Sequence, residues 1–460
     1  LIRPAHDFAG DRLPKSLKSN SMGRIILLLL FLPSTAIAQL KIATFNAALY
    51  RDEPGQLLAD LTQATDSQIR SIAEIIQRTN PDVLLINEFD YYPNNAAVDL
   101  LQSILSTPQN KLNLATSGQP VLYPYRRAFE SNTGIASGFD LNNNGRAVTT
   151  LGASGYADDA FGFGAFPGQH AIALFSKYPI LDSQIRSFQL FKWKNMPGNL
   201  LSGDAALLSY YSPEEQAALR LSSKNHLDIP IDVNGRIIHF LASHPTPPVF
   251  DSAEDRNGKR NHDEIRFWRD YITNNAGNYI YDDAGHTGGL AAGASFVILG
   301  DMNADPVDGD SFDHPIDQLL LSPLINTAQT PTSPGGPQQA LLQGRNNNGQ
   351  LGNPAFDTGD FNDFGPGNLR SDYIFPSIDL PISDSAVFWP LSSDPLYSLV
   401  LASDHRLVSI TIPEPSMSSS LMLLLLVLDG VRHFQRRHAR SVRFGCRCAA
   451  AGVVGRGHQR

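Results

Sequence analysis

The stretch Phe296-Val297-Ile298-Leu299-Gly300-Asp301-Met302-Asn303 constrains this chain more than any other. A short apolar run closing on glycine reads as a buried strand that stops abruptly. Glycine allows a sharp turn there, or the close approach of another group. Asp301 and Asn303 are two residues apart, so they point the same way as the strand runs out. One offers a charged acceptor and the other an amide donor and acceptor. A strand followed by an Asx turn accounts for the pattern. So does a pair that holds an attacking water and contacts a phosphate oxygen, and the partners elsewhere in the chain must decide.

Five other apolar stretches end or open on groups with chemistry. Residues 40–46 alternate along a strand that stops at Asn46. Residues 83–86 run into Asn87-Glu88. Glu88 there is either an oxygen ligand for a hard divalent cation or simply the point where the strand leaves the core. Residues 237–242 run into Ser243-His244-Pro245, and Pro247 and Pro248 stiffen the exit. His244 is a candidate for phosphate binding or proton transfer, although a lone histidine is as readily structural. Residues 369–375 place Asp372 inside an apolar strand, where an unpaired carboxylate is costly. It needs a partner, and Asp404-His405, at the entry to the strand over 402–408, supplies an imidazole for it and a second carboxylate for metal.

The intervening chain is less specific. Ile69, Ile72, Ile75 and Ile76 define one face of a helix over 67–79, which Asn80-Pro81 ends. Residues 172–175 read as a further strand, and 91–169 as long loops with short strands. Within them, Asp140-Leu141-Asn142-Asn143-Asn144-Gly145 resembles the start of a calcium loop but lacks the closing glutamate; it is a cation site or a polar turn. Residues 188–197, with Trp193, read as a substrate-facing rim or as packing. A helix is expected over 262–272, with Arg266 and Arg269 on a solvated face, and a long loop over 322–368.

The 36 glycines and 31 prolines argue for a loop-rich protein rather than a helical bundle. Residues 39–412 carry 23 Lys and Arg against 41 Asp and Glu. Such an acidic body is a poor non-specific nucleic-acid binder, because phosphate affinity comes largely from basic side chains. The two cysteines, Cys446 and Cys448, lie far from this body, so no disulfide staples it. Near the start, Met22-Gly23-Arg24, an apolar run over 25–32 and Ala36-Ile37-Ala38 read as a secretory signal cleaved before Gln39.

In order, Thr-Phe-Asn46, Pro-Asp-Val-Leu-Leu-Ile-Asn-Glu88, Ser-His244, Gly-Asp301-Met-Asn303, Ser-Asp372-Tyr and Ser-Asp404-His405 resemble the endonuclease/exonuclease/phosphatase superfamily, the DNase I-like proteins. The resemblance covers roughly residues 40–412. It implies a four-layered α/β sandwich, with two mixed β-sheets packed face to face and helices outside. It implies a monomeric hydrolase of phosphate esters that uses Mg2+ or Mn2+, with Ca2+ as an alternative. By that resemblance Asn46, Glu88 and Asp404 hold the metal, and Asp301 with Asn303 activates water. His244 and His405 bind phosphate and move protons, and Asp372 orients His405. The family commonly has Thr-His-Leu where this chain has Ser-His244-Pro-Thr-Pro-Pro, a departure that bears on substrate choice. Phe161-Gly-Phe-Gly and Arg256-Asn-Gly-Lys-Arg-Asn-His-Asp-Glu264 resemble an exported bacterial branch. Nucleic acid is one alternative substrate, and a non-catalytic surface-binding domain is the reading from another class.

The organisation expected is therefore three-part: a leader over 1–38, the hydrolase domain over 39–412 and a sorting segment over 413–460. That last part, Pro413-Glu414-Pro415, an apolar stretch over 421–428 and a basic cluster from Arg432, resembles a PEP-CTERM sorting signal. It implies an exosortase-type processing enzyme as partner, and delivery to the cell envelope or the outside.

Overall fold

The computed structural model describes residues 39–413. The expected leader and the sorting segment beyond Pro413 lie outside the described residues. Within them the strands are β1 (Gln39–Leu49), β2 (Val83–Phe89), β3 (Tyr125–Phe129), β4 (Ala171–Ser176), β5 (Arg186–Ser187), β6 (His226–Val233) and β7 (Arg236–Ser243). They continue with β8 (Ser295–Asp301), β9 (Gly359–Asp360), β10 (Asn368–Leu369), β11 (Asp372–Pro376), β12 (Asp384–Val387) and β13 (Val408–Pro413). The helices are α1 (Gln56–Gln63), α2 (Ser67–Thr79), α3 (Ala96–Leu105), α4 (Leu200–Gly203), α5 (Ala205–Tyr210), α6 (Pro213–Ala218), α7 (Arg256–Ile272), α8 (Asp317–Leu320) and α9 (Gly335–Gln343).

Two parallel strand pairs set the frame. β1 and β2 run parallel, so the chain must cross back between them, through α1 and α2. α2 opens where the Asp66 carboxylate accepts the Ile69 amide at 2.8 Å. It closes where Asn80 turns left-handed, with φ 50°. In the same way α7 carries the crossover between parallel β7 and β8. The remaining pairings are antiparallel. They give one sheet ordered β12-β13-β1-β2-β4-β3 and a second ordered β11-β8-β7-β6-β5, beside a two-stranded β10-β9 ribbon.

Alternation along the strands sorts the core into three layers of contact. Ile42, Leu85 and Leu174 of the first sheet meet Ile229, Phe240 and Leu299 of the second between the sheets. Phe45, Ile86 and Phe175 face outward onto Ile72 and Ile76 of α2 and Leu101 of α3. Leu241 and Ile298 face the other way, onto Ile265 and Trp268 of α7. Helix, sheet, sheet and helix form the four-layered sandwich of the DNase I-like fold. Gly300 is required where β8 meets β7. Its φ is 139°, and a Cβ there would stand 2.1 Å from the Ser243 carbonyl oxygen.

Three local expectations are corrected. Residues 91–169 contain α3, whose Ala97, Val98, Leu101 and Leu105 are buried at helical spacing. α7 begins at Arg256, two turns earlier than its apolar face suggests, because its first turns bury polar residues such as Asn261. The 322–368 region is not all loop, since α9 lies inside it. Residues 188–197 are packing: Phe188, Phe191, Trp193 and Met196 are buried, and Trp193 Nε1 donates to Asp263 at 2.7 Å. Residues 140–145 form an exposed turn in which Asp140 accepts the amides of Asn144 and Gly145.

Candidate active site

The carboxyl ends of both parallel pairs reach the same place between the sheets. Asn87, at the end of β2, accepts the Asp301 amide at 3.1 Å and donates to the Ser243 carbonyl at 3.3 Å. β2 then bulges: Glu88 is an extra residue against β4, with a left-handed φ of 57°. A bulge re-aims the side chain it carries. A strained backbone at a non-glycine residue persists where the surroundings enforce it, commonly at a functional site. Asn303 is left-handed too, with φ 50°.

Asp301 is the centre of the arrangement. Its Oδ2 accepts Asn46 Nδ2 at 3.0 Å and lies 3.4 Å from His244 Nε2 and 3.5 Å from His405 Nε2. Its Oδ1 accepts the Asn303 amide at 2.9 Å. The antiparallel register of β8 and β11 sets Asp372 directly across from Asp301. Asp372 Oδ2 stands 2.8 Å from His405 Nδ1 and also accepts the Thr358 and Ser371 hydroxyls. The Asn303 side-chain Nδ2 donates to the Pro245 carbonyl at 3.1 Å, tying it to the turn after His244. Asn46, His244, Asp301, Asn303, Asp372 and His405 thus form one bonded cluster. Glu88 faces it, and Asp404 stands at its exposed edge, where its charge acts on Glu88 and His405.

Burial disfavours the charged form of both histidines, and the charges beside them split the two. For His405 burial opposes the charged form, but Asp372 and Asp301 outweigh it and hold the imidazole pKa well above its usual value. For His244 burial dominates, and Lys224, His405 and His170 push the same way, so its pKa lies well below. Burial pushes the Asp301 carboxyl up to about 7, with Asp372 adding to the rise and His405 resisting it. The Glu88 carboxyl is raised by burial, against the pull of His405.

Asn46, Glu88, Asp404 and Asp301 all carry oxygen donors in or beside this cluster. Such a donor set fits a hard divalent cation, which would offset the cost of holding these carboxylates ionised. Asp301, Asp372 and His405 bring ligand atoms within 4.8 Å of one another. Both ring nitrogens of His405 already face carboxylates, however, so that triad acts as a hydrogen-bonded unit.

Two residues of the cleft carry no signal of their own in the sequence. Lys224 is buried; its Nζ lies 3.5 Å from the Pro245 carbonyl, and its charge acts on Glu88, Asp301, His244 and His170. The Asn234-Gly235 hairpin could have found it. Pairing back from Val233 and Arg236 sets His226 opposite Ser243, so Lys224 falls beside Pro245. His170 packs on the Tyr50 ring with centroids 4.2 Å apart; burial, then Lys224, takes its pKa down to about 3. α7 supports both sides. Glu264 accepts the Ser223 and Thr246 amides, and Asn261 donates to the Thr246 and Met302 carbonyls. The helix's Arg266 is not a freely solvated charge: it pairs with Asp263 and Asp270.

Fold and cleft together define a hydrolase of phosphate esters. The chain belongs to the endonuclease/exonuclease/phosphatase family, whose model matches residues 43–405; its members act on phosphoester bonds and bind divalent metal ions. Among solved structures, it is similar to an endonuclease/exonuclease/phosphatase from Beutenbergia cavernae, with 17% identity, a TM-score of 0.43, and coverage of 82% of this chain and 72% of the other. A family protein from Leptotrichia buccalis matches with 15% identity and a TM-score of 0.41, covering 81% of this chain and 99% of the other. A beta toxin variant from Staphylococcus aureus, solved with bound magnesium ions, matches with 14% identity and a TM-score of 0.36, covering 81% and 99%. No curated protein matches the chain.

Proposed function

We propose that the chain is an exported phosphodiesterase that cleaves its ester by in-line attack of a water held by Asp301. The observation that carries this reading is the convergence of Asn46, His244 and His405 on one oxygen of Asp301. A buried carboxyl titrating near 7 is suited to accept a proton from water. The charged imidazole of His405, fixed by Asp372, donates to a phosphoryl oxygen. Lys224 and the Asn303 amide supply further preorganised donors, each typically worth about 3 kcal/mol in the transition state. Asn46, Glu88 and Asp404 would hold the cation, Mg2+ or Mn2+ by their hard oxygen chemistry. When bound, it neutralises charge on the phosphoryl oxygens and the leaving group.

The acidic body favours a phosphodiester other than bulk nucleic acid, since it offers little for non-specific backbone binding. Export is supported by the leader pattern over residues 22–38. The sorting-signal reading of residues 413–460 rests on its Pro-Glu-Pro, apolar and basic order. Asp301→Ala should abolish Mg2+- or Mn2+-dependent release of p-nitrophenol from bis(p-nitrophenyl) phosphate. Persistent metal-dependent hydrolysis by that variant would sink the assignment of roles.

A further inference from the structure

Asp372 and His405 stand 2.8 Å apart, yet they belong to different sheets: Asp372 opens β11 in the second, and His405 precedes β13 in the first. The sheets meet through apolar side chains, whose attraction is non-directional. Such packing sets the spacing of the layers but not the geometry of one hydrogen bond between them. The short strand β9 supplies a directional link, because it is bonded to both neighbours. On one side Gly359 and Asp360 pair with Leu369 and Asn368 of β10, just ahead of Asp372. On the other, Gly359 bridges His405 itself. The Arg406 amide donates to the Thr358 carbonyl, and the Asp360 amide to the Asp404 carbonyl, each at 2.7 Å.

The side chains repeat this arrangement. At one end the buried Thr358 hydroxyl donates to Asp372 Oδ2 at 2.8 Å and accepts the Ser371 and Asp372 amides, each at 3.0 Å. At the other, Asp360 Oδ2 accepts Arg406 Nη2 at 2.6 Å, while its Oδ1 accepts Gln343 of α9 at 2.7 Å. Arg406 is buried, with its guanidinium on the Trp389 ring at 4.3 Å, and it gives Nη1 to the Ser403 carbonyl at 2.8 Å. A planar guanidinium held this way fixes direction as well as distance. Phe361 then sets its ring edge-on to His405, with centroids 5.2 Å apart.

We infer that residues 358–360 are a staple that fixes the Asp372–His405 pair across the two sheets, with Thr358 and Asp360 as positioning residues for the hydrolysis. Thr358 acts through Asp372, and Asp360 through Arg406, the residue that follows His405. The inference rests on the hydrolase reading. A displaced imidazole harms the reaction of the bound ester more than its binding, so loss of the staple lowers kcat and leaves KM.

The test is Thr358→Val in the full chain, assayed with Mg2+ or Mn2+ on bis(p-nitrophenyl) phosphate. Its kcat should fall roughly 10–100-fold, the range for one hydrogen bond to a charged group, with KM unchanged. Thr358→Ser, which keeps the hydroxyl, should restore it. In an Asp372→Asn background Thr358→Val should lower kcat by less than about threefold, because residues that act through one another do not add. Asp360→Ala, at the more exposed end of the staple, should also lower kcat at constant KM, and it replaces Thr358→Val should that variant fold poorly. An unchanged kcat, a rise in KM alone, or an undiminished loss on top of Asp372→Asn overturns the inference. A second readout does not need turnover. The imidazole resonances of His405, identified by their loss in His405→Asn, should shift in Thr358→Val and return in Thr358→Ser. Resonances that do not move overturn the staple whether or not the protein hydrolyses the ester; resonances that move in a protein without hydrolysis leave the staple standing and count against the hydrolase reading.

Discussion

His405 stands between two carboxylates, its Nδ1 2.8 Å from Asp372 Oδ2 and its Nε2 3.5 Å from Asp301 Oδ2. The ring is therefore held in a fixed orientation and in its charged form.

Asp372→Asn should keep the shape and lose the charge that holds His405 protonated. We expect hydrolysis to fall by about 10²–10⁴-fold, the usual share of a positioned proton-transfer group. In metal-free protein the effect on stability has a defined sign. The His405 pKa is raised on folding, so its contribution is fully present below about pH 6.5, the unfolded value. It is lost as pH rises through the raised value. Denaturant midpoints across pH, for wild type and Asp372→Asn, should converge at high pH and separate at low pH.

Asp301 acts in the same sense, but here because burial disfavours the charged form. Its carboxyl titrates at about 7 when folded, against 3.8 in the free side chain. The folded state binds more protons between these values, so metal-free stability falls as pH rises through that window. Asp301→Asn should remove that loss of metal-free stability above pH 7, and abolish activity. Equal melting of the two proteins at alkaline pH in EDTA would count against the assigned burial.

Lys224→Met retains most of the volume of a buried side chain whose charge burial disfavours. Stability should hold or rise. If the ammonium contacts a phosphoryl oxygen, kcat/KM should fall by roughly 10²–10³-fold, the range for loss of one preorganised donor. A loss of activity that tracks a loss of folded protein, by circular dichroism, would assign Lys224 to the scaffold.

Gly300→Ala places a methyl 2.1 Å from the Ser243 carbonyl oxygen at a backbone conformation that suits glycine. β7 and β8 must separate or twist to admit it. A loss of about 3 kcal/mol or more, within the range for strain at a special backbone position combined with overpacking, should appear in thermal unfolding.

Much of the site is legible before any fold is known, because strand ends leave local marks. An apolar run closing on Gly300-Asp301, or on Ser243-His244, can be read from its own neighbours. Asp372 inside an apolar strand announces its need for a partner in the same way. The helix α3 also leaves a local mark, in the spacing of Ala97, Val98, Leu101 and Leu105, although 91–169 reads overall as loops with short strands. The buried acids of α7 leave none. Glu264 reads as a surface charge, since the amides of Ser223 and Thr246 that it serves are far away in sequence.

By itself the sequence determined most of the strands, the order of the residues with chemistry and the family to which they belong. Local periodicity and strand punctuation act over a few residues, and they are written in the residues concerned. Only the tertiary structure decided that Asn46 and Asp301, 255 positions apart, share a hydrogen bond. It also decided that Glu88 is aimed by a bulge and that Lys224 lies beside the histidines. The opposite charge states of His244 and His405 belong to it as well. Both are buried histidines at strand edges; what separates them is which charges stand beside each, cations for His244 and carboxylates for His405.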